Sequence, residues 1–229
     1  MKLTVVVTVF NEKETILKAI EAAKNLNIEK QIIVVDNCST DGTKEILRGL
    51  RDNSVEIVYQ SKNYGYGMSV ITGVNMAKGE YVYIHNTDLE YDPVYALPML
   101  ELAEKDGLDA VFGSRLKGRA GESKFKIIKE RPFYLGSIIT TFLANIFYNR
   151  NFTDIIGSKF YKVSSFKKLN LYNFGVGFDF ELVSKLCKSG FKIEEIPVTY
   201  NPRVKGKKMK ARYIIHAILA MFRVRIFGK

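Results

Sequence analysis

Four runs of β-branched and aliphatic residues, three of them ending in clusters of polar ones, constrain this chain more than any other feature. Leu3–Val9, Gln31–Val35, Val55–Tyr59 and Tyr81–His85 read as strands buried on both faces. Between them the period changes. Ile16, Leu17, Ile20 and Ala23 recur at helical spacing, and further helices are predicted over Lys44–Leu50 and Met68–Ala77. Ala110–Gly113 reads as a fifth strand. Strands alternating with helices predict an α/β fold: a single domain with a Rossmann-like, mostly parallel central sheet and helices on both faces. Ligands of such sheets bind outside the carboxyl ends of the strands. The polar clusters after the first, second and fourth strands are therefore expected to converge on one edge.

The second half is less regular. A helix is predicted over Phe178–Ser189 and a strand over Lys192–Thr199. Pro132–Asn149 is uncharged and approaches the roughly 17–20 residues that a membrane span needs, but Ser137, Thr140, Thr141 and Asn145 interrupt it. Leu135, Ile138, Ile139, Phe142, Leu143, Ile146 and Phe147 recur at helical spacing, so an amphipathic helix is expected, buried in the protein or lying on a membrane. The two cysteines, Cys38 and Cys187, offer neither zinc spacing nor a disulfide framework and fit a reducing cytoplasm. The short β-branched N-terminal run lacks a small-residue cleavage site and reads as a strand, not a signal peptide.

Apolar residues make up 47% of the chain, enough for a sizeable core, and the net charge is +11. Such a charge predicts an anionic partner, although lysine-rich surfaces also serve solubility alone. The cations concentrate in two places. Arg115, Lys117, Arg119, Lys124, Lys126, Lys129 and Arg131 meet only Glu122 and Glu130 within their stretch. Arg203, Lys205, Lys207, Lys208, Lys210, Arg212, Arg223, Arg225 and Lys229 meet no acid. Among the latter, Ile215, Leu219, Phe222 and Ile226 share a helical face, the pattern of a basic amphipathic membrane-surface helix over 211–229 that follows a domain over 1–210. Nucleic acid is disfavoured: no zinc knuckle, RRM signature or helix-turn-helix spacing is present, and acids at the strand ends would repel a polyanion.

Two clusters carry candidate chemistry. Asp36 ends a buried strand, where its carboxylate is expected to face the crevice and accept hydrogen bonds from a base or ribose. Ser39, Thr40 and Asp41 compete with it as helix caps. In Asn86-Thr87-Asp88-Leu89-Glu90, extended alternation would put residues 86, 88 and 90 on one side. Asp88 and Glu90 side by side are costly unless a cation separates them, and oxygen ligands suit Mg²⁺ or Mn²⁺ with a diphosphate completing the shell. An ordinary acidic loop is the alternative.

Taken together and in order, Thr8–Glu12, Val34–Thr43, Asn63-Tyr64-Gly65-Tyr66-Gly67 and the 86–90 cluster resemble the family-2 inverting glycosyltransferases of GT-A fold. Within that family the chain is similar to the dolichyl- or polyprenyl-phosphate sugar synthases. Gly113-Ser114-Arg115, Arg131 followed by Ser137, Asp154 with Gly157-Ser158-Lys159-Phe160, and Glu195-Ile196-Pro197-Val198 leading to Arg203, Gly206 and Lys208 carry that likeness. The resemblance implies a GDP- or UDP-hexose donor bound by Phe10, Asn11, Glu12, Asp36, Asn63, Gly65, Asn86 and Lys208. It implies Mg²⁺ or Mn²⁺ on Asp88, Glu90 and Asn86. It implies Arg115, Arg131, Ser137 and Arg203 around a lipid acceptor phosphate, with Asp88, Arg115, Arg131 and Asp154 as the catalytic set. An anionic phosphate oxygen attacks with little need of a general base. The enzyme is then expected on the cytoplasmic face of a membrane, peripheral or paired with an integral partner.

This chain departs from the family pattern in having Asp36-Asn37 where two aspartates are usual, and Asn86 and Glu90 in an Asp-x-Asp-x-Gln frame. The negative charge of the second cluster is conserved by that exchange. Two other readings stay open. A hydroxyl acceptor would need a carboxylate base, for which Asp154, Asp179 and Glu181 are candidates, Glu181 being equally readable as an exposed helix residue. A nucleotide-binding subunit without activity is the other.

Overall fold

All seven residues of the first strand, β1 (Leu3–Val9), are buried, as a strand flanked on both edges and covered on both faces must be. The computed structural model describes residues 1–131, 134–203 and 212–228. After β1 come α1 (Ile16–Lys24), β2 (Lys30–Asp36), α2 (Thr43–Gly49), β3 (Val55–Tyr59), α3 (Tyr66–Met76) and β4 (Tyr81–Asn86). Then follow α4 (Ala96–Asp106), β5 (Ala110–Ser114), α5 (Lys124–Glu130), α6 (Tyr134–Tyr148), β6 (Ser158–Lys162), α7 (Val163–Lys167), α8 (Phe178–Lys188), β7 (Ile193–Pro197) and α9 (Arg212–Phe227).

The strands form one seven-stranded sheet in the order β3-β2-β1-β4-β6-β5-β7. β1 runs parallel to β2 and β4, β2 to β3, and β5 to β7. Only β6 is reversed, antiparallel to both β4 and β5. Alternation along β1 divides the interior. Leu3, Val5, Val7 and Val9 join α1, α2 and α4 in one core through Ile16, Ile20, Leu47, Met99 and Leu100. Val6 joins the opposite core with Val70 and Val74 of α3, Phe178, Leu182 and Leu186 of α8, and Met221 of α9. The expected helices on both faces of a mostly parallel sheet are thus observed.

β6 was not expected. Its five residues, Ser-Lys-Phe-Tyr-Lys, carry two lysines and no β-branched run. It exists because β4 and β5 offer facing edges that must be paired.

Helix α6 turns the apolar residues of its expected face outward or to its flanks, not into the core. Its buried residues are Tyr134, Ser137, Thr140, Thr141 and Ala144. Leu135, Ile139, Phe142 and Ile146 are exposed, and Ile138, Leu143 and Phe147 are half-buried at the flanks. The helix therefore buries its hydroxyl side, and the apolar face read from the sequence is divided. α9 packs against α8 and α6. No helix among the described residues is long and apolar enough to cross a membrane.

Candidate active site

Strand register brings the polar clusters together. Val9 pairs with Asp36 and Thr8 with Asn86, so the chain leaves β1, β2 and β4 at the same sheet edge. There a cavity of about 1070 Å³ opens, walled by Phe10, Glu12, Asn37, Asn63 and Gly65 on one side and by Asn86, Asp88, Glu90, Lys159, Asp179 and Arg203 on the other.

The wall that carries Phe10, Glu12, Asn37 and Asn63 is built by cross-linking loops. Asn11 takes a positive φ, donates its backbone N–H to Ser39 Oγ (2.9 Å) and accepts Thr40 N–H on Oδ1 (2.8 Å). Glu12 N–H goes to Thr43 Oγ1 at 2.9 Å. Asn11 is thus spent on joining two loops and is absent from the cavity wall. Asn37 Oδ1 accepts Tyr64 N–H (2.9 Å) while its Nδ2 donates to Asn63 Oδ1 (3.0 Å), which fixes the glycine loop before α3. Gly65 has φ +92°, and a Cβ there would lie 2.4 Å from Phe174 O, so no other residue lets this loop seat against the segment before α8.

Asp36 corrects an expectation. It has no exposed surface, and it is Asn37 that lines the cavity. Asp36 Oδ1 accepts Ser39 N–H at 3.1 Å, while Oδ2 has no partner among the described residues. A buried carboxylate oxygen without a partner is costly, and a donor group arriving from a ligand would relieve it.

The 86–90 segment is not extended. The strand ends at Asn86, and Leu89 takes φ +56°, which breaks the alternation between Asp88 and Glu90. Glu90 Oε2 accepts Tyr200 O–H (2.9 Å) and Oε1 accepts Arg203 N–H (3.2 Å). Asn86 Oδ1 accepts the Thr8 hydroxyl at 2.9 Å. The Asp88 carboxylate accepts Glu90 N–H on Oδ1 at 3.1 Å. Burial first, with Glu90 and Glu12 adding like charge, raises the Asp88 carboxyl above its usual range. Among the described residues no three His, Cys, Asp or Glu are grouped to hold a metal ion. Asp88 nonetheless fits a divalent cation that takes one or two carboxylates and draws its other ligands from a substrate diphosphate.

Arg203 was expected on the acceptor phosphate. In the structure its Nη2 lies 2.6 Å from Glu12 Oε1, and its Nε donates to the backbone oxygen of Asp88 at 3.2 Å. Lys208 lies outside the described residues, as do Lys205, Lys207 and Lys210.

Beside the main cavity is a smaller one of about 330 Å³, walled by Arg115, Arg119, Arg131, Tyr134 and Tyr200. Arg115 is held between the Tyr134 and Tyr200 rings, 4.9 and 5.3 Å from their centroids. Its Nε meets Asp154 Oδ2 at 2.6 Å and its Nη2 meets Asp154 Oδ1 at 2.9 Å. Asp154 is fully buried. Although burial pushes its carboxyl up, the Arg115 guanidinium outweighs that and holds it at about 2. Ser137 Oγ donates to Asp154 Oδ1 and accepts from Arg115 Nη2, both at 2.8 Å. Asp154 and Ser137 are therefore saturated: neither is a free base or a free phosphate ligand, and both orient Arg115. Arg131 caps α5 and donates from Nη1 to Tyr200 O at 3.4 Å.

Of the other candidate bases, Glu181 is fully buried, accepting Tyr172 and Asn173 N–H and pairing with Lys185 at 2.8 Å, so its reading as an exposed residue is corrected. Asp179 lines the main cavity, with its carboxyl raised by burial and drawn back by Lys159. Sequence reasoning missed Tyr134 and Tyr200, whose role comes from packing on an arginine far away in the chain. It also missed His85, one residue before Asn86 at the end of β4. Burial lowers the His85 ring to about 4, so it is neutral at physiological pH.

This geometry has known counterparts. The model of glycosyl transferase family 2 matches residues 4–169. The low-salt glycan biosynthesis hexosyltransferase Agl6 of Haloferax volcanii is 26% identical over 206 residues, 88% of this chain and 48% of that protein. The undecaprenyl-phosphate 4-deoxy-4-formamido-L-arabinose transferase of Proteus mirabilis is 31% identical over 125 residues, 52% of this chain and 38% of that one. The chain thus spans half or less of the length of these relatives. Among solved structures, the mannosyltransferase PcManGT from Pyrobaculum calidifontis, in complex with GDP-Man and Mn²⁺, superposes with TM-score 0.70 at 16% identity, covering 97% of this chain and 64% of that one. Glucosyl-3-phosphoglycerate synthase from Mycobacterium tuberculosis, with Mn²⁺, UDP and phosphoglyceric acid, gives 0.72 at 17% identity, covering 98% and 78%. Those two likenesses establish the GT-A fold. With the family model matched across most of its length, the chain belongs to glycosyl transferase family 2.

Proposed function

We propose that this protein transfers a hexose from a GDP- or UDP-sugar to a polyprenyl or dolichyl phosphate, with inversion at the anomeric carbon. The observation that carries the reading is the cavity walled by Arg115, Arg119 and Arg131 beside the cleft of Asp88 and Asn37. A guanidinium matches phosphate oxygens, and Arg115 is pre-oriented by Asp154, Ser137 and two aromatic rings. Arg115 Nη1 has no hydrogen-bond partner among the described residues and is the atom available to an acceptor phosphate. The nucleotide would lie along Phe10, Asn37, Asn63 and Gly65, with a donor N–H meeting Asp36 Oδ2 after a small loop adjustment. A divalent cation, when bound at Asp88, would offset charge growing on the leaving diphosphate. Arg203 stands close enough to Glu12 and Asp88 to share that task. The acceptor oxygen is anionic at neutral pH, so no residue has to remove a proton from it. The names of the Haloferax and Proteus relatives support a glycan or lipid-phosphate setting, and with it a position on the cytoplasmic face of a membrane. Residues 1–210 would form the transferase domain and 211–229 a basic helix appended to it.

The test is transfer of radiolabelled hexose from GDP- and UDP-sugars into organic-extractable lipid, with Mg²⁺, Mn²⁺ or EDTA present. Label in the lipid phase, lost with EDTA and with Asp88→Ala, is expected. Nucleotide binding without such label refutes the reading. A second reading, transfer to a glycan hydroxyl, draws on Asp179, whose raised carboxyl faces the main cavity. Transfer to soluble glycans, abolished by Asp179→Asn, would favour it. Nucleotide binding with no transfer to either acceptor would leave the inactive-subunit reading.

A further inference from the structure

Helix α6 is inside out for a protein surrounded by water. Its buried side is committed to polar work: Ser137 orients Arg115, Thr141 Oγ1 accepts Ile155 N–H at 3.2 Å, and Thr140 folds back on Gly136 O at 2.9 Å. Its outer side carries Leu135, Ile139, Phe142 and Ile146, spaced i, i+4, i+7 and i+11. Among the described residues, none of these four joins a buried apolar cluster. On α9 the exposed residues Ile215, Leu219, Phe222 and Ile226 have the same spacing, while Ala217, Ala220, Met221 and Val224 face inward.

The two helices run side by side in the same direction. A Cβ on Gly136 would meet Ile214 at 3.4 Å, and further along both helices Phe147 and Phe222 pack edge to face with centroids 5.6 Å apart. Tyr148 O–H donates to Met221 O at 3.0 Å. Two apolar stripes, each about 16 Å long at 1.5 Å per residue, therefore lie next to one another. Contiguous apolar surface of this kind marks an interaction site.

We infer that the α6–α9 face lies in the headgroup boundary of an anionic bilayer, so that the catalytic cavity opens at the lipid surface. Charge identifies the occupant. No acid follows Glu195 in the chain, whereas Arg223 and Arg225 are exposed on α9 beside its stripe. A second copy would bring two such basic faces together in a chain that already carries +11. Anionic headgroups take those cations favourably, while the stripes enter the acyl boundary. Leu135 and Ile139 of the α6 stripe and Ile214 of α9 also wall the main cavity, so the apolar surface continues into its mouth. A lipid acceptor would reach Arg115 without leaving the apolar phase. The inference rests on the lipid-acceptor reading above for that last step and deepens it by naming the face.

The test is flotation of the protein with phosphatidylcholine vesicles, with and without phosphatidylglycerol and with no donor or acceptor. It is paired with transfer to a short, water-soluble prenyl phosphate. Wild type is expected to float with the anionic vesicles. Phe142→Glu and Leu219→Glu, both at positions 62% exposed, should each weaken binding roughly ten-fold or more, equivalent to about 1.4 kcal/mol. Both should keep transfer to the soluble acceptor, and Phe142→Leu should restore flotation. Wild type that transfers to the soluble acceptor but does not float overturns the membrane face and leaves the acceptor reading intact. Flotation with no transfer to any prenyl phosphate supports the face and refutes the acceptor reading. A dimer in lipid-free solution that Phe142→Glu dissociates, with no vesicle binding, assigns the face to a second copy and overturns the inference.

Discussion

Asp88 lines the main cavity and Asp154 lies buried behind Arg115, and their surroundings push the two carboxylates in opposite directions. Asp154 is held at about 2 by Arg115 although it has no exposed surface. Removing it leaves a buried guanidinium uncompensated, and breaking a buried pair in this way costs about 3–5 kcal/mol. Asp154→Ala should therefore lower Tm by roughly 6–20 °C in a chain of this size, measured by thermal denaturation. Its folded pKa is depressed below the usual 3.8. The stability it contributes is complete above that value and is lost as pH falls through it towards 2. Wild type should lose more stability than Asp154→Asn over that interval in parallel denaturant titrations. Asp88 shows the reverse sign: its carboxyl is raised, so the folded state disfavours its charge at neutral pH. Asp88→Asn should leave Tm unchanged or raise it while abolishing metal-supported transfer. A Tm loss comparable with that of Asp154→Ala would show that Asp88 is structural.

At the scale of elements, the glycine loop between β3 and α3 is the joint between the two halves of the cleft. Gly67 N–H donates to Phe174 O at 2.9 Å, and Gly65 stands against the same carbonyl with φ +92°. Gly65→Ala adds a clash to a strained backbone, and an expected loss of about 2 kcal/mol or more should appear as a lower denaturant midpoint together with weaker nucleotide binding. A midpoint unchanged from wild type would show that the loop is not seated on Phe174. The elements of the first half were legible in the sequence because each carries its own period: Leu3–Val9 and Val55–Tyr59 match β1 and β3 end to end. What was illegible depended on partners distant in the chain. β6 is a strand because β4 and β5 flank it, and α6 turns Ser137 and Thr141 inward, where they bond to Arg115, Asp154 and Ile155 N–H. In the site, the strand-end rule located Glu12, Asp88 and Arg115 on cavity walls. It could not foresee the bonds of Glu90 to Tyr200 and Arg203, because a single positive φ at Leu89 is not encoded in an apolar–polar pattern. Nor could it foresee the contact of Arg203 with Glu12, which spans 191 positions.

For the whole molecule, that contact ties residues 12 and 203 together at the wall of the main cavity. The wall formed by Phe10, Asn37 and Asn63 comes from the first third, whereas Lys159, Asp179 and Arg203 come from the last. A donor filling the cavity would touch both, so its binding energy should stabilise the fold as one unit. At a free concentration near 100 Kd, a ligand bound only by the folded state adds about 2.7 kcal/mol. For a protein of this length that corresponds to a Tm rise of roughly 5–11 °C in one cooperative transition. GDP or UDP with Mn²⁺ should produce that shift in wild type, and the matching nucleotide should be evident from which of the two does so. Asp88→Asn should retain only the metal-independent part of it. Arg203→Met removes a partly exposed pair worth about 1 kcal/mol or less, so the unliganded Tm should hardly move while the nucleotide shift shrinks. If the shift keeps its full size in Arg203→Met, the arginine is a surface tie and donor binding does not depend on closure between the two halves.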